Sequence, residues 1–116
     1  MRQLGELERA VMDVVWAAAE PVSVRDVVDR LADRRPAYTT VMTVLDRLAN
    51  KGVVLQQRAD RAYRYVPAQT REEMTAAVML DALSASGDRE AALAHFVGRL
   101  PPAALAAAIE AAQQRK

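Results

Sequence analysis

The chain has 116 residues, of which 52% are hydrophobic and only 4% aromatic, and its formal net charge is +1. This length suits one compact domain or two small ones, and the absence of cysteine excludes disulfides, thiol catalysis and cysteine-based zinc sites. The one histidine, His95, cannot hold a metal without further ligands, so we expect neither metal nor cofactor. No run of 18 apolar residues and no signal-peptide pattern occurs, which predicts a cytoplasmic protein that is not inserted in a membrane.

Charge is distributed unevenly along the chain. Residues 34–64 contain seven basic and two acidic residues, a net charge of +5, whereas residues 1–33 carry −3 and residues 65–116 carry −1. A local excess of this size indicates an anion-binding surface, with nucleic acid as the partner to expect. The alternative is a solvated face without a partner.

The first 36 residues predict two amphipathic helices. The apolar positions of the first recur at intervals of three and four: Leu4, Leu7, Val11, Val14 and Ala18. This helix should end at Glu20-Pro21, because the residue before proline avoids the α conformation, and Trp16 should anchor the core. The second helix begins at a capping box of Ser23 and Asp26 and should stop near Pro36. Its inward residues are Val24, Val27, Val28 and Leu31.

The stretch AYTTVMTVLDRLANKG, residues 37–52, predicts a third helix that ends at Gly52. Its apolar side consists of Tyr38, Val41, Leu45 and Leu48, which we expect in the core. Its other side carries Thr39, Thr40, Met42, Thr43, Asp46, Arg47 and Asn50. Threonine is a poor helix former, and an ordinary surface helix favours Glu, Lys or Ala instead.

The polar side of the third helix suits the major groove of DNA. Short threonine side chains allow a close approach, their hydroxyls can reach phosphates or base edges, and their methyls can contact thymine. Met42 can rest on a thymine methyl, and Arg47 can hydrogen-bond guanine or a phosphate. The predicted recognition residues are therefore Thr39, Thr40, Met42, Thr43 and Arg47. A plain exposed helix face is the alternative.

A β-hairpin is predicted after the third helix. The runs Val53–Leu55 and Tyr63–Val66 favour strands, and Ala59-Asp60-Arg61 lies between them as a turn. Three helices and a hairpin form the winged helix-turn-helix arrangement. Three arginines lie on the hairpin and can grip the DNA backbone or minor groove, unless they only protect an edge strand: Arg58, Arg61 and Arg64. Tyr63 and Tyr65 should pack in the hairpin core.

Three further helices are predicted after Pro67. Thr70 and Glu73 form a capping box, the helix they start should end at Gly87, Asp88 caps the next one, and Pro102 opens the last. Such short, alanine-rich helices cannot bury enough surface alone. We therefore predict a winged-helix DNA-binding domain over residues 1–68 and a helical dimerisation domain over residues 69–116. The residues assigned to the dimer interface are Met74, Val78, Leu83, Leu93, Phe96, Val97, Leu105 and Ile109. The alternative is a monomer in which these helices pack back on the first half.

The segments LGELERAVMDVVW, VSVRDVVDRLADRRPAYTTVMTVLDRLANKGVV and RAYRYVP resemble the penicillinase-repressor (BlaI/MecI/CopY) family. The resemblance is close over residues 4–67 and looser from Thr70 onward. It implies a mainly α fold and a homodimer that binds a double-stranded, inverted-repeat operator with TACA- and TGTA-like arms. It also implies repression of transcription, often of β-lactam resistance genes.

The resemblance further implies how repression is relieved. In the penicillinase branch a membrane sensor protease triggers cleavage of an Asn-Phe bond in the dimerisation domain. The corresponding bond here is His95-Phe96, which departs from the family at its first residue. The copper-responsive branch carries a cysteine motif, and this chain has no cysteine.

No catalytic motif is present, since the sequence lacks G-x-S-x-G, a glycine-rich phosphate loop and H-E-x-x-H. We therefore expect no enzyme. The competing hypothesis is a winged helix used as a protein-interaction module, because a fold alone does not fix function. Such a surface would more often expose aromatic residues or leucines than threonines.

Overall fold

A computed structural model describes residues 4–115, which form six helices and one two-stranded antiparallel sheet. In chain order the elements are α1 (Glu6–Ala17), α2 (Val24–Arg30), α3 (Tyr38–Asn50), β1 (Val54–Ala59), β2 (Ala62–Pro67), α4 (Arg71–Ser84), α5 (Arg89–Gly98) and α6 (Pro102–Gln114). The chain divides into two compact units, and the division falls after Ala77, within α4. The predicted boundary between a DNA-binding domain and a dimerisation domain, at residues 68 and 69, concerns function and stays a prediction.

Both helices of the first 36 residues form, but each ends earlier than predicted. The chain leaves α1 at Ala18, which is extended, because Val22 pairs with the hairpin. The backbone N–H groups of Val22 and Tyr65 each donate to the other residue's carbonyl, at 3.0 and 2.8 Å. The Ser23 capping box starts α2 as predicted. However, α2 ends at Arg30 and a turn follows in which Arg35 has a φ of 49°.

The core of the first unit is mainly aliphatic and is supplied by α1, α2, α3, the hairpin and the start of α4. Its central side chains include Met12, Leu45 and Leu48, which are fully buried. Trp16 packs against this core and donates from Nε1 to the Gln69 carbonyl at 3.0 Å. Met74, on α4, is only 5% exposed within the same core.

The third helix agrees with its prediction except at its first residue. Gly52, with a φ of 79°, takes the left-handed conformation that follows the helix. Val41, Leu45 and Leu48 are buried, as predicted. Tyr38 is 44% exposed instead of buried, because the first residue of α3 lies beyond the edge of the core.

The hairpin pairs β1 with β2 around a two-residue turn, Asp60-Arg61, in which Asp60 has a φ of 56°. Tyr65 is 2% exposed, which confirms its place in the core. Tyr63 is 46% exposed, and its prediction is wrong, because the strand carries it past Val22 toward the exposed tip.

The second unit consists of the rest of α4 together with α5 and α6. The predicted caps are confirmed: Thr70 and Glu73 exchange hydrogen bonds of 2.8 and 3.0 Å, Asp88 accepts from the Ala91 N–H, and Pro102 is the first residue of α6. α4 ends at Ser84, three residues before Gly87. No described side chain of α5 or α6 is buried.

Over residues 4–115, no single helix has both the length and the apolar character needed to cross a membrane. The helices α5 and α6 meet such a test only as a pair, which is bent by 119° at its break.

Candidate nucleic-acid interface

The five predicted recognition residues all lie exposed on α3. Four of them border one open groove of about 600 Å³: Thr39, Thr40, Thr43 and Arg47. The groove is also lined by Gly5, Leu7 and Glu8 at the start of α1 and by Lys51, which directly follows α3. Met42 lies outside this groove and is 39% exposed.

The threonines are accommodated in α3 by a local hydrogen bond. The Thr43 hydroxyl donates to the Thr39 carbonyl one turn earlier, at 3.0 Å. Such a bond satisfies the hydroxyl inside the helix. Thr43 therefore presents its methyl group and the lone pairs of its oxygen, whereas the hydroxyls of Thr39 and Thr40 make no hydrogen bond with other described residues.

A carboxylate and a cation that line the groove form an ion pair. Lys51 Nζ lies 2.9 Å from Glu8 Oε2, and the other Glu8 oxygen accepts from the Gly5 backbone N–H at 3.0 Å. The Gly5 N–H, followed by the Lys51 ammonium, holds the pKa of the Glu8 carboxyl below its ordinary value, and Arg47 contributes in the same direction. Both Arg47 and Lys51 thus favour the charged form of Glu8.

Sequence reasoning missed the cation on the other flank of α3. The Arg25 guanidinium, at the start of α2, lies 5.2 Å from the centre of the Tyr38 ring. A cation over an aromatic face at this distance is attracted to it. The contact adds a positive group beside the recognition residues, and the sequence gives no sign of it because it depends on how α2 crosses α3.

The three hairpin arginines occupy different surroundings. Arg61 is exposed in the turn, and its side chain makes no ion pair or hydrogen bond with other described residues. Arg58 lies with its guanidinium 5.7 Å from the Tyr63 ring centre. Arg64 lies 3.8 Å from Asp26 at the start of α2.

The Asp26 carboxylate neutralises part of the Arg64 charge. The pKa of the Asp26 carboxyl is lowered, first by the Ser23 backbone N–H of the capping box and to a lesser extent by Arg64. Of the three arginines, Arg64 is therefore the one whose charge is partly neutralised by a described carboxylate, and Arg61 contacts neither a carboxylate nor a ring of the described residues.

The residues predicted to form a dimer interface are mostly exposed or half-buried in the second unit. Leu83, Leu93 and Phe96 line an apolar cavity of about 270 Å³ together with Met79. The other assigned side chains of this unit are Val78, Val97 and Leu105, half-buried, and Ile109, 52% exposed. Met74 differs, because its burial in the first unit leaves it little surface to offer a partner. The His95-Phe96 bond lies inside α5.

Within residues 4–115, no three His, Asp or Glu side chains lie close enough together to hold a metal ion.

A helix-turn-helix pair whose second helix exposes hydroxyls, followed by a basic hairpin, defines a winged helix-turn-helix protein of the DNA-binding class. The family model for the penicillinase repressor matches residues 4–114. The chain belongs to the penicillinase repressor family, which is a family of transcriptional repressors and not of enzymes.

Comparison with individual proteins agrees with this family. Over 104 residues, 86% of this chain and 75% of the relative, the chain is 56% identical to the transcriptional regulator BlaI of two Mycobacterium tuberculosis strains. The structure is similar to the monomeric form of Bacillus licheniformis BlaI, solved in complex with the blaP half-operator. That similarity has a TM-score of 0.52 at 25% identity and covers 62% of this chain and 88% of the other. The predicted family, the winged-helix fold, the repressor class and the absence of enzymatic function are thereby confirmed.

Proposed function

We propose that this repressor acts as a homodimer in the cytoplasm and binds an inverted-repeat operator with TACA- and TGTA-like arms. The observation that carries the proposal is the exposed α3 face, on which Thr39, Thr40 and Thr43 lie beside Arg47. The B. licheniformis relative supports it, because in its monomeric form it is complexed with a half-operator. One subunit per half-site, with the two half-sites a helical turn or a multiple of it apart, is the arrangement expected of a dimeric helix-turn-helix protein.

Base contacts come from α3. Arg47 donates to guanine O6 and N7 or to a phosphate, and the methyl groups of Thr43 and Met42 pack on thymine methyls. The hydroxyls of Thr39 and Thr40 reach base edges or phosphates near the start of the helix, where free backbone N–H groups also face the DNA. Asp46, on the same exposed face, can accept from cytosine N4.

Backbone contacts come from the flanks of α3. Arg61 at the tip of the wing reaches a phosphate or the adjacent minor groove, with Arg58 and Arg64 behind it. Arg25, over Tyr38, supplies a cation on the α2 side. These contacts position the subunit on the duplex without reading its sequence.

Dimerisation is assigned to residues 69–116. The exposed apolar side chains of this region, including Leu93 and Phe96, line a cavity that nothing in the described chain fills. Burying them against a second copy would stabilise short helices that have no buried side chain of their own. Joining two DNA-binding heads raises operator affinity through effective concentration.

Cleavage in the dimerisation domain would reverse this gain and relieve repression. The proposed cleavage site is His95-Phe96, and a membrane sensor protease is the proposed trigger. The bond lies within α5, so the helix must open locally before a protease can reach it. Genes of β-lactam resistance are the proposed targets.

The first test replaces one recognition residue. Arg47→Ala should weaken binding to duplexes with TACA and TGTA arms by roughly ten- to a hundredfold per half-site, because a guanine contact contributes about 1–3 kcal/mol. Fluorescence anisotropy on duplexes of several arm spacings measures this, and sedimentation should show an unchanged oligomeric state. The matched control is Arg89→Ala, an exposed arginine at the start of α5. Equal binding by Arg47→Ala and wild type would remove Arg47 from the interface.

A further inference from the structure

One carboxylate lies in the groove beside the recognition residues. Glu8 projects from the first turn of α1 toward the side of α3 that carries Arg47 and Lys51. Its side chain is only 13% exposed, whereas Glu6, in the same turn of α1, is 90% exposed. The structure therefore holds Glu8 in place and leaves Glu6 in solvent.

Glu8 is fixed by two contacts that use both of its oxygens. Oε1 accepts from the Gly5 backbone N–H and caps α1, and Oε2 pairs with Lys51 Nζ at 2.9 Å. Glu8 and Lys51 are 43 positions apart in the sequence, so the ion pair joins the start of α1 to the end of α3. A partly desolvated pair of this kind is screened less than one between exposed side chains.

Lys51 would otherwise be a free cation at the edge of the proposed DNA interface. Its ammonium borders the same groove as Thr40 and Arg47, and lysine binds phosphate as a compact point charge. A phosphate contact adds affinity for every duplex alike and carries no sequence information.

We propose that Glu8 restrains sequence-independent DNA binding by holding Lys51 away from the phosphate backbone. The Glu8 carboxylate competes with DNA phosphates for the Lys51 ammonium. Without a phosphate contact from Lys51, the affinity for DNA depends more heavily on the base contacts of α3. The proposal rests on the proposed function, since it assigns this groove to the DNA-facing side of the subunit.

Glu8→Gln is the decisive variant. The glutamine oxygen can still accept from the Gly5 N–H, because Gln serves at this capping position as Glu does, while the charge that holds Lys51 is removed. Binding to a scrambled duplex should tighten about fivefold per bound subunit at about 0.15 M salt. The slope of log affinity against log salt should steepen by about 0.9 per bound subunit, since each subunit gains one phosphate contact.

A double-mutant cycle assigns the effect to Lys51. Lys51→Ala alone should change binding to the scrambled duplex little, because Glu8 already occupies its ammonium. In the Glu8→Gln background, Lys51→Ala should remove the whole gain in affinity and in salt slope. The matched control is Glu6→Gln, which removes an exposed carboxylate of the same turn, paired with Arg34 at 3.6 Å, and should leave both quantities unchanged.

The outcomes separate this proposal from the one it rests on. Unchanged or weaker binding by a folded Glu8→Gln, with a wild type that still prefers operator to scrambled duplex, would overturn the role of Glu8 alone. The role of Glu8 would also be contradicted if Lys51→Ala alone weakened binding to the scrambled duplex by as large a factor as Glu8→Gln strengthens it. Lys51 would then already contact DNA in the wild type. A wild type that binds neither duplex would overturn both proposals. The unfolding transition of each variant, followed by circular dichroism, verifies that it is folded.

Discussion

At the scale of single residues, local hydrogen bonds decide what each side chain of α3 can offer to DNA. The Thr43 hydroxyl donates its proton to the Thr39 carbonyl, whereas the hydroxyls of Thr39 and Thr40 can still donate to DNA. Three residues of one type, spaced within five positions, are therefore chemically distinct on this face. The spacing of the threonines predicted that they share a face, but not this difference between them.

The Thr43 hydrogen bond leads to a specific prediction. Thr43→Val, which keeps the methyl group and removes the hydroxyl, should bind the operator within about threefold of wild type. Thr43→Ser keeps the hydroxyl and removes the methyl, and should bind about tenfold more weakly if the methyl packs on thymine, a loss at the low end of the values for single base contacts. Titration of both variants against one operator duplex measures the order, and the reverse order would contradict it.

Glu8 also predicts a pH dependence of stability. Its pKa is lowered by the Gly5 N–H and Lys51, so its charged form is favoured by the fold. The stability it contributes is fully present above the ordinary glutamate pKa of about 4.3 and is lost as the pH falls through the lower, folded-state pKa. The pair with Lys51 is expected to contribute about 1 kcal/mol or less at neutral pH.

The check is urea unfolding of wild type and Glu8→Gln, followed through the fluorescence of Trp16, the one tryptophan. The difference in the free energy of unfolding should be constant from about pH 7 to about pH 5 and should change as the pH drops toward about 3. Asp26 titrates in both proteins and cancels in the difference. A difference that does not vary with pH would show that Glu8 has no lowered pKa.

At the scale of the elements, helix starts were predicted well and helix ends were not. Ser23, Thr70 and Asp88 each cap a helix through a bond to a backbone N–H three residues on, which is a signal contained in a few neighbouring positions. The end of α1, in contrast, depends on a distant partner. Val22 must be extended to pair with Tyr65, which lies 43 positions away in the sequence.

The same distinction explains the two errors among the tyrosines. Tyr63 and Tyr65 have equivalent places in an alternating strand, and only the pairing of Tyr65 with Val22 makes one of them core. Tyr38 fits the apolar period of α3 but lies at its first turn, where the core has ended. Periodicity predicts which side of an element faces inward, whereas the extent of the core depends on how the elements meet.

The wing contributes a prediction of its own. Arg61→Ala should weaken binding to operator and to scrambled duplex by a similar factor and should lower the salt slope by about 0.9 per bound subunit, because each subunit loses one phosphate contact. Arg64→Ala should have a smaller effect, since Asp26 already neutralises part of the Arg64 charge. Affinity measured over a series of salt concentrations tests the order. A larger effect at Arg64 than at Arg61 would mean that the wing meets DNA along its strands and not at its tip.

At the scale of the whole molecule, the proposed operator binding requires a second copy of the chain. Leu83, Leu93 and Phe96, which the sequence assigned to the dimer interface, line one apolar cavity together with Met79, which it did not assign. Two of the eight assigned residues differ in burial. Met74 is buried in the core of the first unit, whereas Ile109 is 52% exposed and its place in the interface stays a prediction.

Phe96→Asp tests the dimer. A charge placed among apolar side chains cannot be buried without a large cost, so we expect sedimentation to show a monomer and operator affinity to fall by a factor of ten or more as the effective concentration of the second head is lost. Leu55→Ser, which replaces an exposed apolar residue of the hairpin, is the matched control for oligomeric state. A Phe96→Asp protein that remains dimeric would place the interface elsewhere.

Selection from a pool of randomised duplexes at near-physiological salt tests whether α3 reads an inverted repeat. We predict enrichment of two oppositely oriented arms of TACA and TGTA type, a helical turn or a multiple of it apart, and loss of that enrichment in Arg47→Ala. Enrichment of one unpaired arm would support reading by α3 but contradict the dimer. No enrichment, with only weak binding that falls with salt, would contradict sequence recognition by α3 and favour a winged helix that binds another protein.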